Sequence, residues 1–286
     1  MVALPKTFTS YSWKTYNMKE IITRSLSGAL YVTLLLASIY TSQYIFQGVF
    51  FLFGLVALYE FKKLIHLKNW ILYIIFTVCY AFFIFTEVPD YIILGVLGIT
   101  LVTELLLVKD LLTIRIIPMF EKKKYFVSIF YLISALIFLV MIPLFKGDNS
   151  YHPHIIAGAF FLIWINDSFA FIVGKNIGKH KLLERISPKK TIEGLLGGVF
   201  FAVIASYLLF YFTQLLSPMI WLFMSLIMSI FGTLGDLIQS KFKRQAGVKD
   251  SGTIMPGHGG IYDRLDSVIF AAPFLYAFLY IMTYVS

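Results

Sequence analysis

The sequence predicts an all-α polytopic membrane protein of about nine transmembrane helices, and three observations carry that reading. Of the 286 residues, 59% are apolar and only 14% charged, with a mean hydropathy of +0.83. Soluble domains run near a quarter charged. The charges gather between long apolar runs instead of being spread among them. The 24 lysines and arginines, against 15 acids for a net charge of +9, fall almost wholly into alternate connections. In a soluble chain that excess would point to nucleic acid. Between apolar runs it is an orientation signal, and no nucleic-acid partner is expected.

A span takes roughly 20 residues plus a connection, which caps the chain at about nine or ten helices. Ser25–Tyr59 is a charge-free run of 35 residues, enough for two short helices turning around Thr41–Gln47. A single tilted helix there is the alternative. Asn69–Thr86 provides a third span, Tyr91–Val108 a fourth interrupted only by Glu104, and Tyr125–Phe145 a fifth. The sixth runs from about His154 to Gly174 and contains Asp167. Gly194–Gly235 is a 42-residue run broken at Ser217-Pro218. It reads as a hairpin of two helices, because proline is disfavoured inside a helix and favoured in its first turn. Ser267–Ser286 is the ninth.

With nine spans, 23 of the 24 basic residues fall on one side and only Lys146 on the other. The N-terminus and the even-numbered connections are therefore expected in the cytoplasm of a multi-pass cell-membrane protein. Met1–Arg24 carries Lys6, Lys14, Lys19 and Arg24 without an apolar stretch ahead of a small-residue cleavage site, so no cleaved signal peptide is expected. The single cysteine, Cys79, cannot form an internal disulfide and reads as a core- or lipid-facing small residue. By character the chain divides into an N-terminal membrane region, 1–150, and a C-terminal region, 151–286, that holds the chemistry.

Two connections mix hydroxyls, lysine, arginine, glycine and carboxylates. The first runs from Asn166-Asp167-Ser168 through Gly174-Lys175 and Gly178-Lys179 to Ser187-Pro188-Lys189-Lys190-Thr191-Ile192-Glu193-Gly194. The second begins at Gly235-Asp236 and passes Ser240, Lys243-Arg244, Lys249-Asp250 and Pro256-Gly257-His258-Gly259-Gly260 to Asp263-Arg264-Leu265-Asp266. Small residues let backbone N–H groups approach phosphate oxygens, cations neutralise their charge, and carboxylates hold a divalent cation. On a continuing helix Asp236, Ser240, Lys243 and Arg244 share nearly one face. Asp263 and Asp266, three apart at the start of a helix, would present both carboxylates toward one locus. Carboxylates there also suit the helix dipole by themselves. Asp167, at the depth of a span, is expected to face a wet cavity or a partner. Glu104 reads either that way or as a snorkelling acid. A zinc site is excluded by one cysteine and no paired histidines, and neither a Walker loop nor a serine nucleophile elbow occurs.

The stretch Ser240-x-Phe242-Lys243-Arg244, Lys249-Asp250-x-Gly252, Met255-Pro256-x-His258-Gly259-Gly260-Ile261-x-Asp263-Arg264-Leu265-Asp266 closely resembles the signature of phosphatidate cytidylyltransferases, the CDP-diacylglycerol synthases, of bacterial type. Ser187–Gly194 looks like the family's second recurrent block, and the resemblance is specific from about Asn166 to Asp266. Gln239 stands where the family often has Glu, Met255 where Leu, Ile or Phe is commoner, and Phe171 where Tyr is common. The resemblance implies transfer of a cytidylyl group from CTP to phosphatidate, with Mg²⁺ and an adjacent K⁺ as cofactors, a bilayer setting and a homodimer. It implies Asp236 and Asp263 as Mg²⁺ ligands, with Asp167 and Asp266 as further members of that cluster or of a monovalent site. Lys189, Lys190, Lys243, Arg244, Lys249 and Arg264 would spread charge over the phosphates, with Asp250 in the catalytic group. Ser187, Thr191, Ser240 and His258 would donate hydrogen bonds beside Glu193, Gly259 and Gly260. A related lipid or polyprenol phosphotransferase, or an anion or lipid-phosphate transporter, is the alternative. Polar residues gathered at one face, with no internal repeat, speak against transport.

Overall fold

The computed structural model describes residues 18–144 and 150–285. The expectations for Lys6, Lys14, Lys146 and most of the Met1–Arg24 leader reading lie outside them. Among the described residues nine apolar helices follow in order: α1 (Met18–Thr41), α2 (Gln43–Leu64), α3 (Ile71–Phe85), α4 (Asp90–Thr113), α5 (Glu121–Leu144), α6 (Pro153–Ile177), α7 (Ile192–Thr213), α8 (Pro218–Gln245) and α9 (Tyr262–Val285). All but α3 are long and apolar enough to cross a membrane, and α3 has 15 residues. The protein is an all-α polytopic membrane protein.

Both expected hairpin breaks occur, each at a capping serine. Ser42 separates α1 from α2, and its side chain accepts from Ile45 N at 3.2 Å. Ser217 precedes Pro218 and accepts from Ile220 N at 3.3 Å. A serine cap satisfies one of the free N–H groups of a first turn, and proline there has no N–H to leave bare. The tilted-helix alternative for Ser25–Tyr59 is therefore set aside. The loop reading of the 178–191 connection misses a small antiparallel hairpin, β1 (Lys181–Leu183) with β2 (Ser187–Thr191). Proline and two lysines in β2 suggest a loop. They are tolerated because a two-stranded ribbon is all edge.

Contacts between the connections gather the basic residues at one end of the bundle. Lys124 Nζ donates to His66 O at 3.4 Å, and Arg185 Nη2 to Ile114 O at 2.9 Å. Buried Lys241 donates to Asp110 O and to Ile114 O, the latter at 2.7 Å. A cation on the last carbonyls of a helix also answers its dipole. At this end Phe61 of α2 packs edge-on against Tyr131, Phe242 and Tyr262, with ring centroids 5.7, 5.4 and 5.7 Å away. Tyr131 and Tyr262 share a hydrogen bond of 2.6 Å. This aromatic floor lies beneath the connection between α8 and α9.

Small residues bring α6 and α7 almost into backbone contact. A Cβ on Gly194 would stand 2.7 Å from Ala170 O, and one on Gly198 2.7 Å from Asn166 O. In lipid, where apolar transfer gives helices little reason to associate, close approach of small residues supplies the packing. Glu104 does not snorkel. It is fully buried in α4, and neither carboxyl oxygen has a hydrogen-bond partner among the described residues.

Candidate active site

Asp236 sits on α8 where Gly235 lets α9 come close: a Cβ on Gly235 would lie 2.8 Å from Asp266 O. Lys190, from β2, forms an ion pair with Asp236, and Ser240 donates to the same carboxylate at 3.2 Å. Burial by itself would pull Lys190 below the ordinary lysine value. The Asp236 carboxylate, with Asp167 and Asp266 acting behind it, outweighs that and raises it, so the ammonium stays charged. Three carboxylates thus act on one lysine.

Asp263, in the first turn of α9, is surrounded by donors. Its Oδ1 accepts from Lys243 Nζ at 2.8 Å and Gln239 Nε2 at 3.1 Å, and its Oδ2 from Ser251 N at 2.7 Å and Gly260 N at 2.9 Å. Glu60, at the end of α2 and 1% exposed, holds the same connection from the other side. It accepts from Tyr262 N at 2.8 Å, Ser251 Oγ at 3.1 Å and Ile261 N at 3.3 Å. A Cβ on Gly252 or Gly260 would stand 2.1 or 2.2 Å from its carboxylate oxygens. Two carboxylates from distant helices therefore clamp one loop.

Between the clamps the chain folds into a tight turn: Met255 N donates to Gly259 O at 2.9 Å and Gly259 N to Met255 O at 3.1 Å. Gly257 and Gly259 have φ of +76° and +87°, a region that a side chain rarely enters. The turn leans on α1. Ser27 Oγ lies 2.7 Å from His258 Nδ1 and donates to Pro256 O at 2.9 Å, and Gly28 leaves room for the imidazole. Burial first, then the guanidiniums of Arg264 and Arg24, hold His258 below the usual histidine value. A cavity of about 430 Å³ opens here, with Lys249, Asp250, His258 and Arg264 on its wall.

A sequence profile of the Cytidylyltransferase family matches residues 22–282. The chain belongs to the cytidylyltransferase family. It is 49% identical over 132 residues to the phosphatidate cytidylyltransferase of Staphylococcus aureus (strain COL), a match covering 46% of this chain and 51% of that protein. Against the Staphylococcus haemolyticus (strain JCSC1435) enzyme of the same name it is 48% identical over 132 residues, 46% of this chain and 51% of the relative. Against that of Bacillus subtilis (strain 168) it is 50% identical over 119 residues, 41% of this chain and 44% of the relative. The chain spans about half the length of these curated relatives.

The cytidylyltransferase signature is thus drawn together, but not every expected site residue faces the cavity. Thr191 caps α7 through Gly194 N, and the Glu193 carboxylate binds Lys179 N, His180 N and His180 Nδ1, closing its own connection. Ser187 pairs with Leu183 in the hairpin, and Arg244, one residue from Lys243, is exposed. Lys241, between Ser240 and Phe242 of the signature, is spent on the end of α4. Gln239 does carry out a task at the site, donating to Asp263.

Sequence reasoning missed Glu60, Arg24 and Ser27. Glu60 closes the charge-free run used to place the first two spans, and a buried acid beside apolar residues was the available signal. Arg24 counted only as an orientation charge. Among the described residues no three His, Cys, Asp or Glu side chains stand together ready to ligate a metal. Asp236, Asp167 and Asp266 all act on the Lys190 ammonium, and carboxylate oxygens are the donors Mg²⁺ takes, but they are not gathered into a ligating group here. Asp263 could join them only by releasing one of its four donors.

Proposed function

We propose that the protein transfers a cytidylyl group from CTP to phosphatidate, forming CDP-diacylglycerol and pyrophosphate at the cytoplasmic face of the cell membrane. The observation that carries this reading is the clamped signature loop. It lies beside the Lys190–Asp236 and Lys243–Asp263 ion pairs, where α8 ends and α9 begins, next to a groove lined by Phe160, Trp164, Asp167, Asp263 and Asp266.

The acceptor is a phosphate monoester whose second pKa is about 6, so it arrives largely as a dianion and needs no general base. Its oxygen forms a bond to the α-phosphorus of CTP while the bond from that phosphorus to the bridging oxygen breaks, and pyrophosphate leaves with the electron pair. The obstacle is holding two anions in line. Basic side chains and fixed N–H groups meet that need through position and charge. Lys190 and Lys243 supply ammonium groups already oriented by carboxylates. Asp236, Asp167 and Asp266 would hold Mg²⁺, which when bound would neutralise charge on the triphosphate.

Purified protein in detergent, given CTP, phosphatidate and Mg²⁺, should release CDP-diacylglycerol. No product under conditions that support the Bacillus subtilis enzyme would sink the proposal.

A further inference from the structure

His258 is expected from the signature to donate a hydrogen bond, but its surroundings decide otherwise. Ser27, on α1, has one hydroxyl hydrogen to give. Its Oγ lies 2.7 Å from His258 Nδ1, 2.9 Å from Pro256 O and 3.1 Å from Arg24 O. Carbonyls only accept, so the hydrogen goes either to one of them or to the imidazole. Given to Nδ1, it would leave the oxygens of Ser27 and Pro256 facing each other with no hydrogen between them. Given to Pro256 O, it frees a lone pair of Ser27 to accept from Nδ1–H, and both contacts between α1 and the turn are filled.

Among the described residues the hydrogen bonding of this ring runs through Nδ1 alone. Gly28 withholds a side chain that would crowd the other edge, since a Cβ there would stand 3.2 Å from Cε1 and 3.4 Å from Nε2. Around His258, the 430 Å³ cavity is walled by Arg24, Lys249 and Arg264 against the single carboxylate of Asp250. It is a chamber rich in donors and short of acceptors. Burial, then the guanidiniums of Arg264 and Arg24, hold His258 below the usual histidine value. The ring is therefore neutral at about pH 7, with a hydrogen on one nitrogen and a bare lone pair on the other.

We propose that Ser27 is a positioning residue that holds His258 in its Nδ1–H form, so that Nε2 accepts a hydrogen bond from a ribose hydroxyl of CTP bound in this chamber. The chemistry of the two substrates decides between them. Phosphatidate has both hydroxyls of its glycerol phosphate esterified, and its phosphate, with a second pKa of about 6, is largely a dianion, so it brings no O–H. The nucleotide brings phosphates for Arg24, Lys249 and Arg264 together with 2′ and 3′ hydroxyls for an acceptor. A histidine donating from Nε2 would suit the phosphate of either substrate and select neither. The identity of the hydroxyl rests on the cytidylyl-transfer reading, whereas the place of the ring hydrogen does not.

The ring is read first, in the resting protein. With ¹⁵N-labelled histidine, NMR in detergent at about pH 8 separates protonated from bare ring nitrogens of neutral imidazoles. His258→Gln picks out the signal among the five histidines by removing it. The wild type should show Nδ1 protonated and Nε2 bare. Ser27→Ala, which leaves Nδ1–H without its acceptor, should move the hydrogen to Nε2, and Ser27→Thr should restore the wild-type pattern. CTP, 2′-deoxy-CTP and 3′-deoxy-CTP are then titrated with Mg²⁺ and without lipid. In the wild type, loss of the contacted hydroxyl should weaken one analogue about threefold to tenfold, the worth of a single hydrogen bond. In Ser27→Ala that difference should shrink to within about twofold, because the two groups act through one contact. A wild-type ring protonated on Nε2, a ring indifferent to Ser27→Ala, or both deoxy analogues bound as tightly as CTP overturns the proposal. Should Ser27→Ala fail to fold, the wild-type ring and the wild-type analogue series decide by themselves. The two readings fail separately. Wild-type protein that shows the expected ring and discriminates at the ribose, yet makes no CDP-diacylglycerol, refutes the reaction alone. Full turnover with both deoxy analogues bound like CTP refutes the ribose contact alone.

Discussion

Asp236 and Asp263 share a charge and belong to one signature, but their surroundings set them different tasks. Asp236 meets one ammonium and one hydroxyl at the edge of an open site, while both oxygens of Asp263 are filled by four donors. Asp236→Asn should therefore abolish turnover, by about a thousandfold or more, with little change in melting temperature. Asp263→Asn should lose turnover and also about 2–4 kcal/mol of stability, because an amide NH₂ would face N–H and ammonium donors in a buried place. Turnover and thermal unfolding of the two purified variants check this, and equal stability in both would refute the division of labour. His258 supplies a pH test. Its folded value lies below the unfolded one, so its contribution to stability is present above about pH 6.5 and is lost as the pH falls below it. His258→Gln should flatten the decline in melting temperature between neutral and mildly acidic pH. A decline as steep as in the wild type would show that this imidazole does not cause it.

Among the elements, the connection from α8 to α9 matters most, since its order comes from α2 and α1 as much as from its own glycines. Glu60 reaches Ser251, Ile261 and Tyr262, and Ser27 reaches Pro256 and His258. Glu60→Gln keeps the size of the side chain but turns one acceptor into a donor. It should speed hydrogen exchange at the Ile261 and Tyr262 amides by about tenfold, since a charged hydrogen bond is worth about 1.5–3 kcal/mol. It should lower kcat about tenfold to a hundredfold and leave α8 protected. Unchanged exchange in the loop would remove Glu60 from this role. The α1–α2 and α7–α8 turns were legible in the sequence because serine capping and proline are local signals. The β1–β2 hairpin was not, because only pairing of its two short strands distinguishes it from a lysine-rich loop.

At the scale of the molecule, contacts of Lys124, Arg185 and Lys241 with neighbouring connections bring basic residues together at one end of the described helices. With Cys79 replaced by Ser, single cysteines at Lys122 and Lys181 should react with an impermeant maleimide only when the cytoplasmic side is open. A cysteine at Glu87 should react from outside. The reverse pattern would invert the orientation while leaving the fold intact. Membership of the cytidylyltransferase family and the all-α polytopic class needed no structure, because an apolar run of sufficient length and a dense motif are properties of residues near one another in the chain. Glu60 clamping Ser251, Arg24 lying on Gly257 and Lys190 meeting Asp236 join residues far apart in the sequence. No local periodicity encodes such pairs, so an orientation charge and a span-ending acid acquired their places at the site only when helix packing brought them there. The sequence by itself determined that this is a polytopic membrane protein with a cytidylyltransferase signature. Tertiary structure decided which of its charges hold the loop, which line the chamber and which merely cap a helix, because burial and hydrogen-bond partners are assigned by packing.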